Sequence, residues 1–128
     1  MIYYPLAYST WGNEELEAIQ RVCDSDMYTM GRHVKQFESE FADLFGSENA
    51  VMVNSGSSAN LLMLSLLKWK YKLTGDIICP VVGWATTYFP MAQNGFKINF
   101  VDVDKDTWNI DVNKIEAAIT PNTCAIMP

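Results

Sequence analysis

Val51-Met52-Val53-Asn54-Ser55-Gly56-Ser57-Ser58-Ala59-Asn60 decides how the chain is read. A short apolar run, read as a strand over residues 50–53, enters a small glycine-containing turn, and a helix leaves it over residues 59–71. The free backbone N–H groups at the start of such a helix point back at the turn, and the helix dipole makes that spot mildly positive. The spot suits a phosphate: the hydroxyls of Ser57 and Ser58 add hydrogen bonds, and Gly56 lets the backbone come close. The same residues admit a plainer reading, in which Ser57 or Ser58 simply caps a core helix. The loop is neither Walker A, because no Gly-Lys-Ser/Thr follows, nor GxGxxG. Nucleoside triphosphate hydrolysis and dinucleotide binding therefore lose their best arguments.

Downstream, the rhythm of strand, turn and helix repeats. Residues 77–79 read as a strand leading to Pro80, and residues 84–93 as a helix with Pro90 as a boundary or kink. Residues 98–101 form the next strand and end in Asp102-Val103-Asp104. Asp111 then caps a helix through Ile119, and residues 124–127 open another strand. Upstream, Asn13 reads as an N-cap with Glu14 and Glu15 in the first turn, and Leu16, Ile19, Val22 and Cys23 share one face. Tyr28-Thr29-Met30-Gly31 breaks that helix, and a second follows with Val34, Phe37, Phe41, Leu44 and Phe45 inward, ending at Gly46. Short apolar strands alternating with helices argue for an α/β fold on a largely parallel sheet. Ligands collect at the carboxyl ends of such strands. That brings in Gly83-Trp84-Ala85-Thr86-Thr87-Tyr88-Phe89-Pro90. Trp84 either stacks on a planar ring whose phosphate sits at Ser57 and Ser58 or is packing bulk, and spacing alone does not choose. Tyr88 and Phe89 read as core or interface bulk.

Composition bounds the alternatives. The 128 residues are 49% hydrophobic, 12% aromatic and 19% charged, which excludes disorder, collagen-like repeats and coiled coil. Nine basic against fifteen acidic residues leave a net charge of −6 with no basic run, so nucleic acid is not an expected partner. No apolar stretch approaches the roughly 20 residues needed to cross a bilayer, and the N-terminus has no signal-peptide pattern. Cys23, Cys79 and Cys124 are far apart and read as small buried hydrophobes, and His33 has no ligand-like neighbour. Asp102 and Asp104 read as a strand-end turn, not a metal site, and Trp69 and Trp108 as packing residues. A cytoplasmic, soluble protein without structural metal is the simplest reading.

Several ordered motifs together resemble the DegT/DnrJ/EryC1/StrS family. They are Phe37-Glu38 before Phe45-Gly46, Ser55-Gly56-Ser57-Ser58-Ala59-Asn60, and Phe100-Val101-Asp102-Val103-Asp104 followed by Ile119-Thr120-Pro121. Tyr4-Pro5-Leu6-Ala7, Ser9-Thr10-Trp11, Tyr28-Thr29-Met30-Gly31 and the Trp84 segment look closest to its colitose-pathway branch, whose enzyme removes the 3-hydroxyl of a nucleotide-linked 4-keto-6-deoxy sugar. The resemblance implies the N-terminal part of an aspartate-aminotransferase-like (fold type I) large domain, a partial three-layer sandwich. Residues 1–35 would be an N-terminal helix and a substrate or partner segment, and residues 36–128 a partial cofactor-binding unit.

The resemblance also implies a vitamin B6 cofactor, pyridoxal or pyridoxamine 5'-phosphate. Gly56, Ser57 and Ser58 match the family's phosphate-binding turn, and Trp84 matches the aromatic residue that stacks on the pyridine ring. Thr29, Met30, Gly31 and Arg32 match a segment near the substrate pocket and the partner subunit of a homodimer. The implied partners are the nucleotide-linked keto-deoxy sugar and glutamate as amino donor. The family's base, lysine in aminotransferases and histidine in the dehydratase branch, falls beyond residue 128, as does the carboxylate that pairs with the pyridine nitrogen. No catalytic residue is expected within the chain, and the aminotransferase reading stays open beside the dehydratase one. So does a reading from another class, a non-catalytic phosphate-binding or dimerising module. The ending Ala125-Ile126-Met127-Pro128 reads like a strand entering a loop, so the chain is expected to be an N-terminal fragment. A sheet stopping there exposes an edge, and dimers or higher oligomers are expected.

Overall fold

The computed structural model describes residues 4–5 and 7–128. Of the Tyr4-Pro5-Leu6-Ala7 motif, Leu6 lies outside the described residues, as do Met1, Ile2 and Tyr3. The chain divides into two compact units, the first extending to Met52 and the second spanning Val53–Pro128.

The first unit holds α1 (Asn13–Asp24) and α2 (Arg32–Phe45). The cap of α1 is Gly12, one residue earlier than expected. Its N–H donates to the Glu15 carboxylate at 2.7 Å, so Asn13 is already helical. That bond holds the Glu15 carboxyl below its ordinary range. Helix α2 ends as expected at Gly46, whose φ of 63° is the left-handed stop. Ser47 N–H reaches Ala42 O at 2.9 Å and Gly46 N–H reaches Asp43 O at 3.2 Å, which satisfies two carbonyls of the last turn. The inward faces do not follow. None of α1 is buried, Leu16 is exposed, and Cys23 is exposed where burial was expected. On α2, Phe37, Phe41 and Phe45 stack along the helix with centroids 5.6 and 4.5 Å apart. They and Leu44 stay exposed, and Ala42 is the helix's buried residue. Two helices alone offer no third layer to cover that stripe. Residues 50–53 form no strand. The Met52 N–H goes to Glu38 Oε1 at 2.8 Å instead of to a neighbouring strand.

The second unit is the α/β part. It runs α3 (Gly56–Trp69), β1 (Asp76–Pro80), α4 (Ala85–Gln93), β2 (Lys97–Val101), α5 (Val112–Ala118) and β3 (Thr123–Ile126). The sheet order is β2-β1-β3 with both pairings parallel, as the apolar runs predict. Central β1 carries the core: Ile77, Ile78 and Cys79 are fully buried. Ile77 and Cys79 share one face and pack with Leu64 of α3, Met91 of α4 and Phe96. Ile98 of β2 joins that cluster, so Asn99 points to the opposite face, where its amide donates to Ala118 O of α5 at 2.8 Å. Helices therefore cover both sides of the sheet, which is a three-layer arrangement in part.

Gly75 sets the β1–β3 junction. It has φ 125°, and a Cβ there would run into the carbonyl oxygen of Asn122, the group that accepts the Asp76 N–H at 2.9 Å. The register skips Cys124 at this point, a bulge that lets β3 rejoin β1 at Ile77.

After β2, Asp102 and Asp104 build a turn. Asp104 Oδ1 accepts from Thr107 N–H at 2.8 Å and Asp106 N–H at 3.0 Å, and Asp102 pairs with Lys114 at 3.2 Å. Asp111 caps α5 as expected, accepting from Asn113 N–H at 3.1 Å. The two tryptophans read as packing residues are not: Trp69 and Trp108 are both exposed, Trp108 at φ 61° in that turn. The Thr107 and Asp106 N–H groups hold the Asp104 carboxyl below its ordinary value. The turn's stabilisation is therefore complete above the ordinary aspartate range and is lost as pH falls through the lowered folded value. In a carboxyl NMR titration Asp104 should titrate below pH ~3.9; an ordinary midpoint would show that these bonds do not form in solution.

Candidate functional site

The start of α3 is built by Ser55, which is extended at φ −162° and caps the helix. Its Oγ accepts from Ser58 N–H at 3.2 Å, and its carbonyl accepts from Ala59 N–H at 3.1 Å. This corrects the reading in which Ser57 or Ser58 caps the helix. Because Ser55 takes that work, the N–H groups of Gly56 and Ser57 and the Ser57 hydroxyl have no partner among the described residues. The Ser58 hydroxyl accepts from Ser55 Oγ at 3.2 Å, which leaves its own proton to give. A Cβ on Gly56 would meet nothing within 4 Å, so the space beside Gly56 is open. Uncommitted N–H groups, two hydroxyls and the positive end of a 14-residue helix make a donor set that fits a phosphate.

Helix α4 runs beside α3 in the same direction. Asn60 reaches Thr86 in its first turn, and Ser65 reaches Asn94 at its C-cap at 3.1 Å. Both helix N-termini therefore lie at the carboxyl end of β1. Pro90 sits inside α4 and has no N–H to give the Thr86 carbonyl four residues back. The Asn60 side-chain amide approaches that carbonyl instead, at 3.5 Å. Between the helices lies a hollow of about 220 Å³, walled by Ser57, Ser58 and Leu61 of α3 and Thr86, Phe89 and Gln93 of α4.

Trp84 caps α4 with an extended backbone and is 76% exposed. It stands two residues before Thr86 but does not wall the hollow. Phe89, read as core or interface bulk, is exposed at the hollow, so the core half of that reading does not hold. Tyr88 is half-buried and meets Phe100 edge to face at 5.3 Å, and its hydroxyl donates to Pro80 O at 2.8 Å. Burial and the neighbouring Cys79 thiol push the Tyr88 phenol above its ordinary range, so it stays a donor. Cys79 itself is pushed up to about 11 by burial, as an inert core thiol should be. Thr29, Met30, Gly31 and Arg32 lie in the first unit, where Gly31 caps α2 and Arg32 Nε contacts His33 Nε2 at 3.4 Å. Among the described residues no helix is long and apolar enough to cross a membrane.

Sequence reasoning missed Asn60 and Tyr88 as structural partners of the site. For Asn60 a signal was present: Pro90 in a helix leaves Thr86 O without its donor, and a nearby amide is the natural substitute.

Known proteins carry the same pattern. The profile of the DegT/DnrJ/EryC1/StrS aminotransferase family matches residues 9–128. The GDP-4-keto-6-deoxy-D-mannose 3-dehydratase of Yersinia pseudotuberculosis is 54% identical over 131 residues, covering 99% of this chain and 33% of that protein. A crystal structure of GDP-4-keto-6-deoxymannose-3-dehydratase with a trapped PLP-glutamate geminal diamine superposes with a TM-score of 0.88 at 52% identity, covering 97% of this chain and 33% of that one. A mutant of the same enzyme, ColD, with bound GDP-perosamine superposes at 0.87 with 51% identity, again covering 97% of this chain and 33% of that one. The chain thus spans about a third of the length of these relatives.

Proposed function

Because the chain belongs to the DegT/DnrJ/EryC1/StrS aminotransferase family, we propose that it supplies the phosphate cup and one ring-facing side of a pyridoxal or pyridoxamine 5'-phosphate site. The enzyme it serves removes the 3-hydroxyl of a nucleotide-linked 4-keto-6-deoxy sugar. The observation that carries this is the start of α3, where the Gly56 and Ser57 N–H groups stand uncommitted beside the Ser57 hydroxyl. The 54% identity to a 3-dehydratase supports the branch.

Gly56, Ser57 and Ser58 hold the cofactor phosphate, the first two through their backbone N–H groups and the serines through their hydroxyls. Trp84 lies against the ring and keeps water from that face. When bound, the cofactor supplies the electron sink that lets the sugar lose its hydroxyl. Thr29, Met30, Gly31 and Arg32 face the substrate or a partner subunit in a homodimer, and glutamate restores the amino form. The enzyme works in the cytoplasm, on soluble substrate.

Binding is tested by titrating the chain with pyridoxal 5'-phosphate (PLP) and with pyridoxal, following induced circular dichroism. Saturable binding of the phosphorylated form alone is expected, and equal affinity for both would overturn the cup. The reaction is tested by supplying the enzyme that contains this chain with the keto sugar and glutamate. A 3-deoxy keto sugar is the expected product, and an amino sugar would instead establish the aminotransferase reading.

A further inference from the structure

We propose that Tyr88 is a positioning residue for Trp84, its hydroxyl tying down the turn over residues 81–84 that carries the indole. The functional consequence rests on Trp84 being the ring-facing residue, while the structural claim stands without it. With 76% of Trp84 exposed, the indole has little packing of its own, so its place must come from its backbone. That backbone leaves β1 at Pro80, whose carbonyl accepts the Tyr88 hydroxyl at 2.8 Å. It returns at Trp84, the cap of the helix whose first turn contains Tyr88, and Thr87 N–H closes on Trp84 O at 2.9 Å. One end of the turn is thereby held by the Tyr88 side chain and the other by the backbone of the helix turn that carries Tyr88. Between them, Val81 N–H is held by Val101 O at 2.8 Å. Gly83 lies so close to the Tyr88 hydroxyl that a Cβ there would overlap its oxygen. The turn wraps around that hydroxyl, and the ring beneath is anchored edge to face on Phe100 of β2.

Tyr88→Phe keeps the ring and removes the anchor. In the ligand-free chain, backbone 15N relaxation of residues 81–84 and of the Trp84 indole N–H should show increased fast motion, with only a small drop in melting temperature. The Kd for PLP should rise about fivefold, the worth of one hydrogen bond, while the Kd for inorganic phosphate stays within about twofold of the parent. Gly83→Ala should act alike by displacing the hydroxyl, and its effect should shrink in the Tyr88→Phe background. Unchanged Trp84 relaxation in Tyr88→Phe would overturn the proposal whatever PLP does. An equal loss of phosphate and PLP affinity would overturn it too, because the damage would then lie in the cup. If Trp84→Ala leaves PLP affinity intact, the ring-stacking reading fails, and the relaxation data still judge Tyr88.

Discussion

Replacing Ser57 with aspartate is expected to stabilise the fold slightly and to abolish phosphate binding. Ser57 is the second residue of α3, with its hydroxyl and N–H uncommitted. A carboxylate there meets the positive end of the helix and should add about 0.5 kcal/mol of stability. A phosphate offered to the same donors would sit about 4 Å from that carboxylate, a like-charge contact of roughly 4 kcal/mol per charge pair near a protein surface. Affinity for PLP should therefore fall by at least about a hundredfold while the melting temperature holds or rises. Ser57→Ala should cost far less, because the N–H groups remain. Undiminished PLP binding by Ser57→Asp would mean that α3 is capped for the fold alone.

Gly75→Ala should be strongly destabilising, at about 3 kcal/mol. At φ 125° an L side chain is strained before any contact is made, and the group its Cβ meets is the Asn122 carbonyl, part of the backbone. No rotamer change relieves that, and moving Asn122 breaks its bond with Asp76 N–H and the register of β3. Gly56→Ala is the informative contrast. Gly56 is helical with open space before it, so alanine should be neutral or mildly stabilising. Urea unfolding of the two variants separates them, and comparable midpoints would show that the β1–β3 bulge is not required.

The parallel sheet was legible because runs such as Ile77-Ile78-Cys79 are apolar on both faces and bounded by Gly75 and Pro80. Gly46 and Asp111 were legible as terminators because glycine and aspartate act there through local geometry. Residues 50–53 were not, since an apolar run becomes a strand only beside a partner. Choosing Ser55 over Ser57 and Ser58 as the cap of α3 depends on one backbone angle that three neighbouring serines leave open. The Phe37, Phe41 and Phe45 stripe has the period of a buried face, yet period alone does not say what covers it. Pairing of Tyr88 with Pro80 crosses a strand–helix turn, where no short-range rule applies.

The donors at the head of α3 are backbone N–H groups and serine hydroxyls, none of which gains or loses a proton in the working range. A lysine or histidine clasp would tighten and slacken with the protein's own titration. The proposed cup would have a constant grip, so any acid sensitivity in its capture of an anion would belong to the guest, whose phosphate passes from monoanion to dianion at about pH 6.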